Sequence, residues 1–330
     1  MNSFGTLYRV QIFGESHGAC AGILVDGCPA GLPLTAADFE QDMERRKGGK
    51  QKGTTPRQEE DVPVFQSGIF EDKTTGAPIT LLFENKNTRS GDYEKQRSVP
   101  RPGHADFTAH QKFGGFEDYR GGGHFSGRLT AGLVGAGVIA KKLLKGININ
   151  AHIESIGGEV DLEKGLQKAI DAKDSVGGVV SCVVKGLPIG LGEHFFNSVE
   201  SLISHAVFAI PAIRGIEFGT GFAAANMFGV EHNDAIIDAS GKTKTNHAGG
   251  VVGGYTNGND LVFRIAVKPT SSTPKDQITW NWETNEQETF SVKGRHDLCI
   301  ALRVPVVLEA VTAIVLADLM LLEQKIPRIL

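Results

Sequence analysis

The first stretch that could carry chemistry is FGESHG, Phe13 to Gly18, in which Ser16 stands between two glycines at the spacing GxSxG. This spacing occurs in the nucleophile elbow of serine hydrolases, where a strand runs into a sharp turn and then into a helix. Here the following GACAGILVDG favours a second strand, and little chain precedes Ser16 to supply the other oxyanion donor. A serine hydrolase therefore stays only as a distant alternative, and the neighbouring His17 becomes the residue of interest.

Two further glycine patterns lack residues that a phosphate-binding loop needs. In GGHFSGRL, Gly122 to Leu129, Arg128 stands at the lysine position and Leu129 at the position of the magnesium-binding hydroxyl. The GKT at Gly241 has no glycine at the required upstream position, and no GxGxxG follows a predicted strand. The sequence therefore gives no support to a P-loop or a Rossmann nucleotide site.

Polar residues at glycine-rich turns form the remaining candidate set. Glycine lets the backbone approach a ligand closely, and side chains in such turns are not claimed by a core. A basic loop from Arg45 to Arg57 contains six cations and no acidic residue. Histidine titrates near neutrality, so two of the histidines suit proton donation beside a departing phosphate. The set predicts a site for an anionic ligand and consists of His17, His104, His124, Arg128, His247, Arg295, His296 and Asp297.

The elements that must position this set alternate between strand pairs and helices. In the first half, the predicted strands are LYRVQIFG, GACAGILVDG, VPVFQSGIF and APITLLFEN, and the predicted helices are ADFEQDMERR and LTAGLVGAGVIAKKLL. In the second half, the strands are GGVVSCVVKG, GIEFGTGF, NDLVFRIAVKP and the pair around NWETNEQETF, and the helices are LEKGLQKAIDAK, NSVESLISHAVFAI and PVVLEAVTAIVLADLMLLEQK. This pattern favours an α+β fold with internal duplication over a doubly wound parallel sheet. Because no composition shift marks a linker, we expect one domain over residues 1–330, with a mobile basic loop at about 45–60.

The composition of the chain limits its partners. The 34 basic and 38 acidic residues give a formal net charge of −4, which argues against binding to nucleic acid or to an acidic membrane. No run approaches the roughly eighteen uninterrupted apolar residues that a membrane-spanning helix needs, and the N-terminus has no signal-peptide pattern. The four cysteines form no CxxC pair and no metal-ligand spacing, which favours reduced thiols. We expect a cytoplasmic protein that binds no metal.

Seven stretches together resemble chorismate synthase in their order and spacing. They cover nearly the whole chain and are FGESHG, GILVDGCPAGLPL, RPGHADFT, DYRGGG, NHAGG, KPTSS and GRHD. The resemblance implies a β-α-β sandwich, in which two antiparallel sheets enclose a helical layer, and a homotetramer. It implies a lyase that catalyses the trans-1,4-elimination of phosphate from 5-enolpyruvylshikimate 3-phosphate to give chorismate, the last common step of the shikimate pathway to the aromatic amino acids.

The resemblance also implies a need for reduced FMN, although the reaction has no net redox change. The hydrogen lost from carbon is weakly acidic and phosphate is a reluctant leaving group, so electron donation by the cofactor would loosen the carbon–oxygen bond. By motif, His17 is the implied proton donor to the reduced flavin, His104 the donor to the departing phosphate, and Asp297 the base that works with flavin N5. The lyase accounts for all 330 residues, so we expect an external flavin reductase to supply reduced FMN.

Two further groups of residues carry over from the motifs of the family. The cations for the substrate's phosphate and two carboxylates fall on Arg46, Lys52, Arg101, Arg128 and Arg303. The flavin contacts fall on His124, Phe125, Ser126, Pro211, Ala212, Gly253, Lys268, Pro269, Thr270, Ser271, Ser272 and Arg295. Planar guanidinium groups suit carboxylate and phosphate, whereas a lysine offers a point charge.

One motif departs from the usual family sequence near the expected flavin phosphate. GGGHFSGRL stands where GGGRSSARE is usual, so that His124 and Phe125 replace an arginine and a serine. Pro211 also stands where an asparagine is common. These changes leave open a flavin- or anion-binding paralogue with weakened or lost turnover. A working enzyme is favoured, because the residues that carry the implied proton transfers are retained.

Overall fold

Alternation of buried and outward-facing side chains builds two main antiparallel sheets, and in the described residues six short strands form three further pairs, β5-β6, β11-β12 and β14-β15. The computed structural model describes residues 2–49, 52–88, 90–292 and 296–330. The strands are β1 Ser3–Phe4, β2 Arg9–Gly14, β3 Cys20–Asp26, β4 Val64–Ser67, β5 Ile69–Phe70, β6 Lys73–Thr74, β7 Ile79–Glu84, β8 Asn148–Ile156, β9 Gly178–Lys185, β10 Ile213–Phe218, β11 Val251–Val252, β12 Tyr255–Thr256, β13 Leu261–Val267, β14 Gln277–Asn281 and β15 Glu286–Phe290. The α-helices are α1 Glu40–Arg46, α2 Asp106–Phe113, α3 Thr130–Leu143, α4 Leu162–Ala172, α5 Val199–Val207, α6 Gly229–His232 and α7 Val304–Leu322.

The first sheet has the strand order β1-β2-β3-β7-β4, and all of its pairs are antiparallel. The hairpin of β2 and β3 and the pairing of β4 with β7 confirm the strands predicted for this half. Ile23 and Leu81 lie opposite each other in the register and are fully buried. Both side chains face α3: a Cβ added at Gly132 would lie 3.2 Å from Ile23, and one at Gly135 would lie 3.2 Å from Leu81. The buried face of this sheet therefore carries the helical layer.

The second sheet has the order β10-β13-β9-β8 and is also antiparallel. Strands β9, β10 and β13 confirm predicted strands, but the sequence analysis missed β8 and α2. The sequence of β8, NINAHIESI, alternates between polar and apolar residues up to Ile153, with Ala151 and Ile156 buried, but five of its nine residues are polar. Pairing with β9 along its whole length decides its structure.

Two long apolar helices, α3 and α7, pack against each other between the sheets. α3 lies on β3 and β7, α7 lies on β8 and β9, and α1 and α5 pack beside α3 and α7 respectively. Small residues permit the close approach, since a Cβ added at Gly137 would lie only 2.3 Å from the Cβ of Ala310. The segment Ile300–Leu322 is long and apolar enough to cross a membrane, but almost all of it is buried in the protein interior. It is therefore a core helix.

The two halves of the chain repeat one strand order. Numbered along each half, the strands lie in the order first, second, fourth, third, both for β2, β3, β4 and β7 and for β8, β9, β10 and β13. The pairing of the third strand with the fourth has a register shift in each half, at Phe65/Ser67 and at Ile213/Gly215. Each half then ends in a helix of the central layer. The predicted α+β sandwich with internal duplication is the observed architecture.

Candidate active site

A cavity of about 700 Å³ opens beside the first turns of α3 and α7, where Thr130 and Val304 contribute to its wall. Connections from both halves of the chain complete this wall. Most of the predicted site residues line the cavity, namely Arg46, Arg101, His104, His124, Phe125, Ser126, Arg128, Pro211, Ala212, Lys268, Thr270, Ser271, Ser272, Asp297 and Arg303. Residues far apart in sequence therefore come together as one site.

Five of the predicted catalytic and binding residues are not among the described residues that line the cavity, and one of them, His17, lies just behind its wall. Lys52 is exposed, and its Nζ donates a hydrogen bond to Gln167 Oε1 at 3.1 Å. Gly253 lies in the turn between β11 and β12, away from the cavity wall of its own chain. Pro269 follows Lys268 but does not contribute to the wall. Arg295 lies outside the described residues.

Asp61 anchors two arginines at one end of the cavity. Its carboxylate is fully buried and forms ion pairs with both Arg46 and Arg128. Burial opposes ionisation of Asp61, but the two guanidinium groups outweigh it and lower the pKa. Arg128 Nε also donates to Asn85 Oδ1 at 2.8 Å, and its Nη2 donates to the carbonyl of Glu84 at 3.1 Å. These contacts hold the Arg128 guanidinium in one orientation.

Asp297 and Arg303 form a second ion pair, which faces the cavity. Arg303 Nη1 lies 3.0 Å from Asp297 Oδ2. The backbone N–H of Thr55 donates to Asp297 Oδ1 at 2.8 Å, and the carbonyl of Gly53 accepts from the N–H of Leu298 at 2.8 Å. The described part of the basic loop is therefore docked against the segment that carries Asp297, and the mobility of the loop stays a prediction.

His104 lies among charged groups from its own connection, from the start of α2 and from the residue after β13. Its Nδ1 is 2.5 Å from Asp106 Oδ1, and Arg101 Nη2 is 3.0 Å from Nδ1 and 3.2 Å from Nε2. Burial lowers the pKa of His104, and the positive charges of Arg101 and Lys268 lower it further. Asp106 acts in the opposite direction and raises this pKa without cancelling the other effects. Arg101 and Lys268 thus favour the neutral form of the His104 ring, whereas Asp106 favours the protonated form.

The glycine run Gly121 to Gly123 brings two histidine rings against one turn. Gly121 and Gly122 have φ values of +61° and +80°, in the left-handed region that favours glycine. A Cβ at Gly121 would lie 2.5 Å from His17 Cδ2, and one at Gly122 would lie 3.1 Å from His104 Cε1. His17 is buried just behind the cavity wall, edge-on to the cavity-lining Tyr93 with ring centroids 5.1 Å apart. His17 and His104 are thus neighbours across this run.

Ser16 does not have the geometry of a nucleophile. It is only 1% exposed, and its Oγ accepts a hydrogen bond from Arg57 Nη1 at 3.0 Å. Arg57 Nη2 also donates to the carbonyl of Ser16 at 3.1 Å. Moreover, Ser16 lies in a connection between two strands, β2 and β3, and not between a strand and a helix. The geometry argues against the serine hydrolase alternative.

Two other candidate histidines contact parts of their own chain. His124 Nδ1 lies 2.8 Å from the carbonyl of Gly14, at the end of β2, so this ring is engaged with the backbone. The neighbouring Phe125 is 40% exposed at the edge of the cavity. His247 does not line the cavity, and its Nδ1 lies 2.8 Å from Thr220 Oγ1. His247 is thus a turn residue, which was the structural alternative for each of these histidines.

The cavity carries an excess of positive charge. Among its described lining residues, seven are lysine or arginine and three are aspartate or glutamate. The sequence analysis did not assign the contacts of Arg57, Glu59, Asp61, Tyr93 and Asp106. A signal was present, since the acidic run QEED directly follows the basic loop, but the order of residues does not reveal which acid is buried between arginines. The excess charge suits a ligand with several anionic groups.

The comparisons with known proteins agree with this geometry. A family model described as chorismate synthase matches residues 8–321. A chorismate synthase of Chitinophaga pinensis is 72% identical over 100% of this chain and 99% of its own length. The chain belongs to the chorismate synthase family. Chorismate synthases of Dehalococcoides mccartyi and Methanocaldococcus jannaschii are 44% and 42% identical, over 100% and 97% of this chain and 99% and 96% of their own lengths. A crystal structure of chorismate synthase aligns with a TM-score of 0.73 and 26% identity, over 97% of this chain and 93% of that chain.

Membership of the chorismate synthase family gives the reaction. The chain is a carbon–oxygen lyase that eliminates phosphate from 5-enolpyruvylshikimate 3-phosphate and forms chorismate, in the shikimate pathway to the aromatic amino acids. The substrate is a small molecule with a phosphate and two carboxylates, and an excess of cations such as that in the cavity suits a ligand of this charge. Family membership also implies a flavin cofactor.

Proposed function

We propose that the cavity binds 5-enolpyruvylshikimate 3-phosphate at its arginine-rich end, beside reduced FMN, and that His17, His104 and Asp297 carry the proton transfers. The main support is one observation: His104, Asp297 and seven cationic side chains line a single cavity, and His17 lies directly behind its wall. Such an arrangement holds a polyanion close to groups that can donate and accept protons.

The substrate's anionic groups fit the unused donors of the arginines. Arg46 Nε is buried without a hydrogen-bond partner among the described residues, although Nη2 of the same side chain is paired with Asp61. An unpaired donor in the wall of a cavity is costly unless a ligand completes it. Arg128 and Arg303 are held in place by Asp61 and Asp297, so both present preoriented guanidinium groups.

The residues present also fit a flavin. Val307, Val311 and Ile314 of α7 give the cavity an apolar wall, and Thr270 Oγ1 is buried without a partner among the described residues. Lys268 offers a positive charge in the same run. When bound, reduced FMN supplies the electron density that loosens the carbon–oxygen bond to phosphate. Because His124 is engaged with the backbone, we propose that the flavin phosphate relies on the run Lys268 to Ser272 and on Arg295.

The side chains of the chain itself supply the protons. We propose that the His104 imidazole donates a proton to the departing phosphate, while the Arg101 guanidinium stabilises the charge on it. Asp297, held by Thr55 and Arg303, accepts the proton lost from the substrate carbon. His17, pressed against Gly121, holds the proton that sets the working protonation state of the flavin.

An anaerobic assay tests this function. The protein is mixed with substrate and chemically reduced FMN, and phosphate and chorismate are measured over time. We expect the two products in equal amounts and none with oxidised FMN. FMN binding without release of phosphate would select the paralogue that has lost turnover. Absence of both binding and products would contradict the proposal.

The role of His104 has a matched control on the outer face of the second sheet. We expect His104→Ala to lower turnover by at least ~10²-fold, the lower range for a general acid. His152→Ala removes an exposed histidine from β8 and should leave turnover unchanged. Near-normal turnover in His104→Ala would remove the role that we assign to this side chain.

We further propose a homotetramer. Large apolar side chains are exposed on the connection from β10 to β11, including Phe222, Phe228, Val230 and Ile236, each more than 70% exposed. Patches of this kind mark protein–protein interfaces, and a second copy of the chain is the occupant that the family resemblance implies. Gly253 is also exposed, and a neighbouring subunit could use it for flavin binding. Light scattering should give the mass of four chains, and a lower mass for Phe228→Glu.

The remaining proposals concern the number of domains, the cellular location and the source of reduced FMN. The two sheets share the layer of α3 and α7, which supports one domain over residues 1–330. The four cysteines are unpaired and three of them are buried, as suits the reducing cytoplasm.

We propose that an external reductase supplies reduced FMN. With FMN and NADPH alone we expect no turnover, and addition of a flavin reductase should restore it.

A further inference from the structure

Asp106 holds two side chains of the cavity although it does not line the cavity itself. It is the first residue of α2, where a carboxylate is favoured by the helix dipole. Its Oδ1 lies 2.5 Å from His104 Nδ1 and accepts a hydrogen bond from Arg101 Nη2 at 2.8 Å. Its Oδ2 accepts from Arg101 Nε at 2.7 Å and from the Arg101 backbone N–H at 3.0 Å. One carboxylate thus fixes both a histidine and an arginine.

This contact decides which nitrogen of His104 can exchange a proton with a ligand. A carboxylate accepts but does not donate, so Nδ1 carries the hydrogen that faces Asp106. The other nitrogen, Nε2, lies 3.2 Å from Arg101 Nη2 and is the atom that takes up and releases a proton. Gly122 leaves room on this side, because a Cβ there would lie 3.2 Å from Nε2. A carboxylate that orients a catalytic histidine in this way is a frequent device in enzymes.

The same carboxylate also offsets the positive charges around the ring. His104 faces Arg101 from its own connection and Lys268 from the end of β13, and both disfavour the imidazolium form. Asp106 is the anion that faces His104 from α2, and its pKa is well below the usual range because hydrogen bonds from Arg101 and His104 outweigh its burial. Asp106 therefore stays charged throughout the working range of pH.

We propose that Asp106 is a positioning residue of the elimination reaction, which fixes the tautomer of His104 and aligns the Arg101 guanidinium beside it. Nε2, which carries the transferable proton when the ring is an imidazolium, and the cation are then presented together at the place where phosphate leaves. The inference rests on the proposed role of His104 as the proton donor. Asp106 acts on the reaction only through these two side chains.

Kinetics of Asp106→Asn and Asp106→Glu test the proposal. Asn removes the negative charge, so the basic limb of the pH profile of kcat/KM should move to lower pH, because the protonated form of His104 loses its support. We expect kcat to fall roughly 10- to 100-fold, the range for partners that orient a functional histidine. KM should rise as well, because Arg101 is released. Asp106→Glu, which keeps the charge, should restore the basic limb.

Asp42→Asn is the matched control for loss of a paired carboxylate in a helix. Asp42 lies in α1, pairs with Arg45 of the same helix and with Lys141 of α3, and does not line the cavity. We expect its pH profile to match that of the unmodified protein. If Asp106→Asn lowers kcat without moving the basic limb, and if Asp106→Glu does not restore activity, the effect is structural and the proposal is overturned.

The ¹⁵N spectrum of the histidine rings gives a readout that needs neither substrate nor flavin. In the ligand-free protein above the pKa of His104, we expect Nδ1 to be protonated and Nε2 unprotonated, with the signal assigned by its loss in His104→Ala. Asp106→Asn should give a mixture of tautomers. The same tautomer in both proteins would overturn the proposal. If the tautomer shifts but His104→Ala keeps full turnover, the proposed role of His104 fails while the positioning by Asp106 stands.

Discussion

The two halves of the molecule share a scaffold but use it differently at the cavity. In each half, the connection that follows the fourth strand ends in a short 3₁₀ helix with an arginine, Arg128 in Gly127–Leu129 and Arg303 in Ile300–Arg303. The next residues begin α3 in one half and α7 in the other. Burial lowers the pKa of both arginines, and each is paired with an aspartate.

The aspartates make the difference between the halves. Asp61 is completely buried and shared by two arginines, so its carboxylate is occupied by the protein. Both aspartates line the cavity, but the side chain of Asp297 is 17% exposed and receives a hydrogen bond from the backbone of Thr55 in the basic loop. One half therefore uses its acid to hold two cations, and the other leaves its acid partly open to the cavity. The arginines stand at equivalent positions of the repeat, whereas the aspartates come from different connections, Asp61 before β4 and Asp297 after β15.

The largest effect on stability should come from Asp61→Asn in the first half. The change leaves two buried guanidinium groups without a charged partner, and we expect a loss of about 3 to 5 kcal/mol in the free energy of unfolding. Urea unfolding measures it. The control Asp26→Asn breaks an exposed pair with Arg9 and should cost less than about 1 kcal/mol. Equal effects of the two variants would contradict the role of Asp61 as an anchor.

Asp297→Asn should have its main effect on turnover. We expect a fall of at least ~10²-fold under anaerobic conditions with reduced FMN, as for loss of a general base. The loss of unfolding free energy should be smaller than for Asp61→Asn, because the Asp297 side chain is partly open to the cavity. Stopped-flow measurement of product formation, together with urea unfolding, separates the two quantities. If Asp297→Asn lowers the free energy of unfolding but keeps normal turnover, Asp297 has the same structural role as Asp61, and the proposed difference between the two aspartates is wrong.

The packing between the halves should be sensitive to Gly137→Ala. In an isolated helix this change stabilises by roughly 1 kcal/mol, but here the new Cβ would lie 2.3 Å from that of Ala310. Overpacking costs about 1 to 3 kcal/mol, so we expect a net loss of roughly 1 kcal/mol in the free energy of unfolding. Gly229→Ala is the control, since no atom lies within 4 Å of its added Cβ. A stabilised Gly137→Ala would mean that α3 and α7 adjust without cost.

Acid should destabilise the protein through Asp61. Its pKa is lowered in the folded state, so its contribution to stability is present above the unfolded-state value of about 4 and is lost as the pH falls through the folded-state value. We expect the free energy of unfolding to decrease below about pH 4, and less steeply in Asp61→Asn. Urea unfolding at a series of pH values checks this. An unchanged acid slope in the variant would assign the effect to other carboxylates.

Much of the scaffold follows from local pattern. The alternation in β2, β3, β9 and β13 predicts strands because one face of each sheet is buried. The small-residue run of α3 and the apolar run of α7 predict helices that pack closely. β8 was missed although its first residues alternate, and its pairing with β9 shows the strand. The sequence of α2, DFTAHQKF, is short and has no clear helical period.

For the site as well, some residues follow from sequence motifs and others only from the structure. Motifs at glycine-rich turns indicate which residues come together, and residues from most of these motifs line one cavity. Their assigned roles stay predictions. The acids that hold the cations were missed, because Glu59 and Asp61 stand in a run of four polar residues whose order does not distinguish the buried from the exposed. Asp106 was also missed, although it follows His104 by only two residues.

The sequence by itself determined the family, the reaction and most of the strands and helices, and it predicted a set of residues around an anion site, most of which line one cavity. These properties depend on residue type, spacing and period, which are local. Only the tertiary structure decided which carboxylates are buried between arginines, which nitrogen of His104 faces Asp106, and that His17 lies behind the wall while Ser16 is bound by Arg57. Charge pairing and burial depend on distances between residues far apart in the chain, and folding of the two sheets around one helical layer fixes those distances.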